Sequence, residues 1–154
     1  MTDGPDGLDH THTGAADLIL GIDQGTTSTR TIAFDRSFAV VATASRPLET
    51  AHPKPGWVEV DADALLSSVV ETVAEVLDAI GGVGRVAAVG LANQGETVVA
   101  WDAETMRPLA PAVVWQCRRS GPIVDRLRAA GHEPAIRALT GLPLDPYFSA
   151  GKMT

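Results

Sequence analysis

The chain has 154 residues, 45% hydrophobic and 20% charged, which is enough for one domain with its own core and little more. Its net charge of −7 excludes nucleic acid and anionic membrane as main partners, because both demand a basic surface. A small phosphorylated ligand, held by backbone amides and one Mg²⁺, is not excluded by that charge. Cys117 is the single cysteine, so no internal disulfide forms and a reducing, cytoplasmic setting is expected. No apolar run is long enough for a membrane helix, and no basic-then-apolar stretch marks a secretory signal.

Residues 1–17, MTDGPDGLDHTHTGAAD, are too polar to pack and read as a disordered tail. His10 and His12 invite a metal reading, but no further ligands lie near them in the sequence, and the tail is expected to carry no function. The folded unit is expected over residues 18–154. Leu18–Ile22 reads as a buried strand, Thr29–Phe34 as a second, and Phe38–Ser45 as a third. Their short links favour an antiparallel meander. Pro53–Trp57 (PKPGW) is irregular, given two prolines and a glycine. Asp61 is a predicted N-cap, followed by Leu65, Leu66, Val69, Val70, Val73, Val76, Leu77 and Ile80 at helical spacing until Gly81-Gly82 ends the run. Arg85–Asn93 returns as a strand small and apolar enough to lie centrally in a sheet. Thr97–Trp101 and Ala112–Trp115 are further apolar runs around a turn at Glu104–Pro108. Helices are predicted over Gly121–Ala130 and near Glu133–Leu139, the latter ending at Gly141. This is an α/β chain, and its end at Lys152-Met153-Thr154, without a closing helix, reads as cut.

The segment Gly21–Arg30, GIDQGTTSTR, is the most readable chemistry. Asp23 leaves a buried strand with a carboxylate suited to Mg²⁺, directly or through water. Gly25 permits a tight turn and close backbone approach to an anion. Thr26, Thr27 and Ser28 bring hydroxyls and consecutive amides, and Arg30 a permanent, forked positive charge. The spacing is neither GxxxxGK[ST] nor GxGxxG. A plain polar hairpin turn is the competing reading of this stretch alone.

Further motifs follow in order: PKPGWVE at Pro53–Glu59, NQGET at Asn93–Thr97, VVWQCRR at Val113–Arg119 and DPYFS at Asp145–Ser149. With the phosphate turn they resemble the N-terminal part of the glycerol kinases, within the FGGY family of carbohydrate kinases, from about Leu18 to the last residue. The resemblance implies the actin-like ATPase (ribonuclease H-like) fold, a mixed sheet whose first three strands are antiparallel, and helices flanking it. It also implies two domains with ATP, Mg²⁺ and a polyol meeting in the cleft between them, and leaves room for a homo-oligomer. Asp23 then corresponds to the metal-linked aspartate, and Thr26, Thr27, Ser28 and Arg30 to phosphate contacts. Glu96, Trp115 and Tyr147 correspond to the polyol pocket, where a carboxylate accepts from neighbouring hydroxyls and an indole covers the carbon skeleton. Alone, Trp115 reads as a core tryptophan. Cys117 reads as a packed thiol, and Arg118-Arg119 as partners of acidic neighbours.

Two departures accompany the resemblance. Gly95 stands where the glycerol kinases carry an arginine that donates to substrate hydroxyls, which points to another or larger polyol such as a tetritol. The family's catalytic aspartate and adenosine site lie in a second half that this chain lacks. No catalytic base is therefore expected among these residues, and a truncated, non-catalytic binding module is the alternative to an active kinase.

Overall fold

Three consecutive runs rich in β-branched residues fold back on one another through short links. They pair antiparallel as β1 (Leu18–Gln24), β2 (Ser28–Phe34) and β3 (Val40–Pro47). The computed structural model describes residues 16–154, so His10 and His12 and almost all of the expected tail lie outside the described residues. Asp17, assigned to that tail on composition, is tied down: its N–H donates to the Arg85 carbonyl at 3.0 Å, and its carboxylate meets the Arg85 guanidinium at 2.9 Å. β5 (Val86–Ala92) joins β1 in parallel, giving the mixed order β3-β2-β1-β5. Between β3 and β5 in the chain lie β4 (Glu59–Val60) and α1 (Ala62–Ala79). After β5, β6 (Ala112–Val113) pairs with β4, and α2 (Gly121–Ala129) and α3 (Glu133–Thr140) complete the described helices.

Asp61 caps α1 as its position predicts, accepting from the amides of Asp63 at 2.8 Å and Ala64 at 3.3 Å. The helix stops at Ile80, where Gly81 takes φ +85 and the Gly82 N–H returns to the Leu77 carbonyl at 2.8 Å. α3 likewise ends at Gly141 in the left-handed region, φ 75.

Alternation along β1 and β2 sends Leu18, Leu20, Thr29, Thr31 and Ala33 towards α1. Ile19, Asp23, Arg30, Ile32 and Phe34 lie on the opposite face. Leu18, Leu20, Ala33, Ala44, Val76 and Ile80 form the main core. The face that α1 buries differs from the apolar stripe expected for it. Ser68, Thr72, Val76 and Ile80, one turn apart, face the sheet, whereas Leu66 and Val70 are 65% and 58% exposed. The helix pivots because its buried hydroxyls find partners: Thr29 Oγ1 and Ser68 Oγ lie 2.7 Å apart, and Thr31 donates to Thr72 Oγ1 at 2.9 Å. Thr72 in turn donates to the Ser68 carbonyl at 2.9 Å, so the pair is satisfied in full burial.

Thr72→Val keeps the shape and strands the Thr31 hydroxyl, a loss of about 1–3 kcal/mol. The double variant Thr31→Val/Thr72→Val is expected to lose less than the sum of its single variants, measurable as a denaturant-midpoint cycle; strict additivity would refute the coupling.

Two further expectations are corrected by the sheet. β5 is an edge strand rather than a central one: α1 packs over β2 and β3 and only grazes β1, which leaves Val89 59% and Leu91 64% exposed. Small apolar residues permit central burial, but a strand is central only if a neighbour pairs with its outer edge, and none among the described residues does. The third strand begins at Val40 and not at Phe38. Phe38 sits at φ 62 in a turn closed by the Asp35 carboxylate, which accepts from the amides of Ser37 at 2.8 Å and Ala39 at 3.0 Å.

Candidate functional site

The β1–β2 connection is a tight turn. The Gly25 N–H donates to the Ser28 carbonyl at 3.0 Å, and a Cβ on Gly25 would lie 3.0 Å from that same oxygen, a tight approach that favours glycine. The amides of Thr26 and Thr27 have no backbone partner among the described residues. Ser28 opens β2. Asp23 and Arg30 are cross-strand partners on the open face of the sheet, both exposed, and no ion pair joins them among the described residues. They border a shallow depression with Gly21, Ile32, Phe34 and Ala92.

Glu96, Trp115 and Tyr147, the residues expected in the polyol pocket, gather beside this turn, with Gly95 next to Glu96. The Trp115 indole Nε1–H donates to Thr26 Oγ1 at 2.9 Å, a contact between residues 89 positions apart. The Tyr147 ring meets Trp115 edge-on, with centroids 5.8 Å apart and planes at 63°. Tyr147 stays 42% exposed. Glu96 is joined to the same wall through the turn Ser149–Lys152: Ser149 donates its N–H at 2.7 Å and its hydroxyl at 2.6 Å to Glu96 Oε2. Gly95 is exposed, and a Cβ there would meet no atom within 4 Å. Hydrogen bonding from the Ser149 hydroxyl, reinforced by its amide and the Lys152 charge and opposed by partial burial, holds the Glu96 carboxyl below the usual glutamate range. It is an ionised acceptor at neutral pH.

The phosphate turn and this wall are stapled together by Gln94, whose amide donates to the Gly25 carbonyl at 2.8 Å and the Gln24 side chain at 3.3 Å. Gln94 Oε1 accepts from the Thr97 hydroxyl at 3.1 Å, and Thr97 Oγ1 accepts the Trp115 amide at 3.3 Å. Gln94, Thr97, Ser149 and Lys152 are site residues that the sequence does not single out. All but Lys152 sit inside the quoted motifs, yet nothing in the linear order shows that they bridge segments far apart in the chain.

PKPGW and WQCRR, distant in sequence, form the floor beneath the wall. The Arg119 guanidinium lies 3.9 Å from the Trp57 ring centroid and bonds Glu59 at 2.6 Å, with both partners largely shielded. The Arg118 amide donates to the Gly56 carbonyl at 2.7 Å, and the Arg118 guanidinium reaches Asp145 at 3.8 Å. Both arginines thus serve acidic neighbours. Cys117 is fully buried with Val58, Val60 and Val114 and accepts from Arg119 Nε at 3.0 Å.

The donor set also bears on the metal. Asp23 is a lone carboxylate, and the described residues contain no cluster of three or more metal-ligating side chains. That fits a cation held largely by nucleotide phosphates and water, the usual manner of Mg²⁺, and not a dedicated protein cage.

A mixed sheet with a hydroxyl-rich turn between its first two strands and helices packed against it has the architecture of the actin-like ATPase fold. A family model for the N-terminal domain of the FGGY family of carbohydrate kinases matches residues 18–154, and the chain belongs to that family. It is 48% identical over 136 residues to a glycerol kinase of Pseudomonas entomophila, covering 88% of this chain and 27% of the relative. It is 46% identical over 137 residues to a glycerol kinase of Gluconobacter oxydans, covering 89% and 27%. Among solved structures, glycerol kinase from Plasmodium falciparum with ADP superposes with a TM-score of 0.81 at 30% identity, covering 90% of this chain and 28% of that one. Xylulose kinase from Rhodospirillum rubrum gives 0.81 at 30% identity, covering 88% and 28%. The chain therefore spans little more than a quarter of the length of these relatives.

Proposed function

We propose that this chain is the N-terminal wall of the cleft in an ATP-dependent polyol kinase, one that transfers the γ-phosphate to a primary hydroxyl of glycerol or a related polyol. The observation that carries the reading is the 2.9 Å bond from Trp115 Nε1 to Thr26 Oγ1, which sets the polyol wall directly against the phosphate turn. Phosphoryl transfer depends on bringing acceptor hydroxyl and γ-phosphate into line, so a contact between the two half-sites is the geometry it requires. Thr26, Thr27 and Ser28 supply hydroxyl and amide donors to phosphate oxygens, and Arg30 a fixed positive charge near them. Glu96 accepts from polyol hydroxyls, Trp115 covers the carbon skeleton, and Tyr147 offers its phenol. Asp23 would help to hold a Mg²⁺ bound with the nucleotide, and that ion would neutralise charge on the phosphates. The proton of the attacking hydroxyl is taken by a base outside these residues.

Joining residues 18–154 to the remainder of the Pseudomonas entomophila glycerol kinase, in place of its own matching segment, tests the reading. The joined protein is expected to release ADP in a polyol-dependent manner, and the 154-residue chain alone to show none. Turnover by the chain alone would contradict the division of labour. A folded joined protein inert towards every polyol tried would favour a non-catalytic binding module.

A further inference from the structure

We infer that Ser149 is the positioning residue for Glu96, holding one carboxylate oxygen so that the other is left to accept polyol hydroxyls; this rests on the polyol reading above. Both Ser149 donors reach the same atom, Oε2, at 2.7 and 2.6 Å, and no donor among the described residues reaches Oε1. An ionised carboxylate has about four lone-pair sites. Two are taken at Oε2, and those at Oε1 remain for two neighbouring hydroxyls of a polyol. The terminal torsion of glutamate is soft, so an unpinned carboxylate would swivel and present its oxygens indifferently. Pre-orienting it removes that freedom before the substrate arrives.

The main chain is held by the same short turn. Lys152 Nζ donates to the Glu96 carbonyl at 2.8 Å and also to the Tyr147 carbonyl, so one side chain ties the two wall segments together. The charged and titratable groups around Glu96 are few. Lys152 comes from the same turn as Ser149, Tyr147 and Asp145 from the loop before it, and α2 and α3 present Val124, Leu127, Ile136 and the uncharged Thr140 to the adjoining cavity. The Asp145 carboxylate is occupied by the Tyr147 amide at 2.8 Å. Because the Glu96 pKa is lowered in the folded chain, the ionised clamp is complete above the ordinary glutamate value of 4.5 and is lost as pH falls through the lowered one.

The experiment is a ¹³C-carboxyl NMR titration of Glu96 in the 154-residue chain, with and without glycerol or erythritol. In the unsubstituted chain Glu96 is expected to titrate below 4.5 and to respond to polyol. Ser149→Ala is expected to move the midpoint upward and weaken polyol binding about tenfold, while Ser149→Thr restores both. If the alanine variant loses its fold, Ser149→Cys, close in shape but a weak donor, makes the same comparison. An unchanged midpoint or unchanged polyol affinity on loss of the Ser149 hydroxyl overturns the inference alone. Failure of Glu96 to respond to polyol in the unsubstituted chain overturns the polyol reading and the inference with it.

Discussion

Leu20→Ala is expected to destabilise the domain by about 2–5 kcal/mol, whereas Leu66→Ala is expected to stay within about 0.5 kcal/mol. Both leucines stand in apolar runs, yet Leu20 is 2% exposed between α1 and the sheet and Leu66 is 65% exposed on the far side of the same helix. Leu20 belongs to the same core cluster as Val76, Ile80 and Ala44, and truncating it leaves a cavity that close-packed strands refill poorly. Domains of this size have a total stability of about 5–15 kcal/mol, so the upper end of that loss approaches unfolding. Urea midpoints at unchanged slope measure the difference. Equal losses at the two positions would mean that α1 presents another face to the sheet.

In the joined kinase, Gly95→Arg is expected to shift the ratio of kcat/KM for glycerol over erythritol at least tenfold towards glycerol. An arginine restored there adds charge-assisted hydrogen bonds worth about 1.5–3 kcal/mol each, and about 1.4 kcal/mol corresponds to a tenfold ratio. The site accepts the substitution without strain: a Cβ would meet no atom within 4 Å, and the backbone is not in the left-handed region. The side chain would stand next to Glu96, balance its charge, and fill volume that a longer polyol would otherwise use. Without it the unsubstituted protein is expected to favour the tetritol. A clear preference of the unsubstituted form for glycerol would sink that specificity reading, while leaving its membership of the kinase family untouched.

Much of this molecule is legible in its amino-acid order. β-branched alternation marks the first three strands, because residues two apart must share a face. Asp61 and Gly81-Gly82 bound α1, because a side-chain oxygen and a left-handed glycine satisfy the orphan groups at helix ends. The Asp-x-Gly-Thr-Thr-Ser order marks the tight β1–β2 turn, because glycine permits the close backbone approach made there. These are local properties, and local spacing encodes them. The tertiary structure alone decided which face of α1 is buried. Ser68 and Thr72 are polar and stand outside the apolar stripe, but the hydroxyls of Thr29 and Thr31 satisfy them inside. It alone put β5 at an edge, because centrality depends on a partner and not on composition. It alone brought Trp115 to Thr26 and Ser149 to Glu96, since contacts between residues 89 and 53 positions apart arise only when packing closes the chain upon itself.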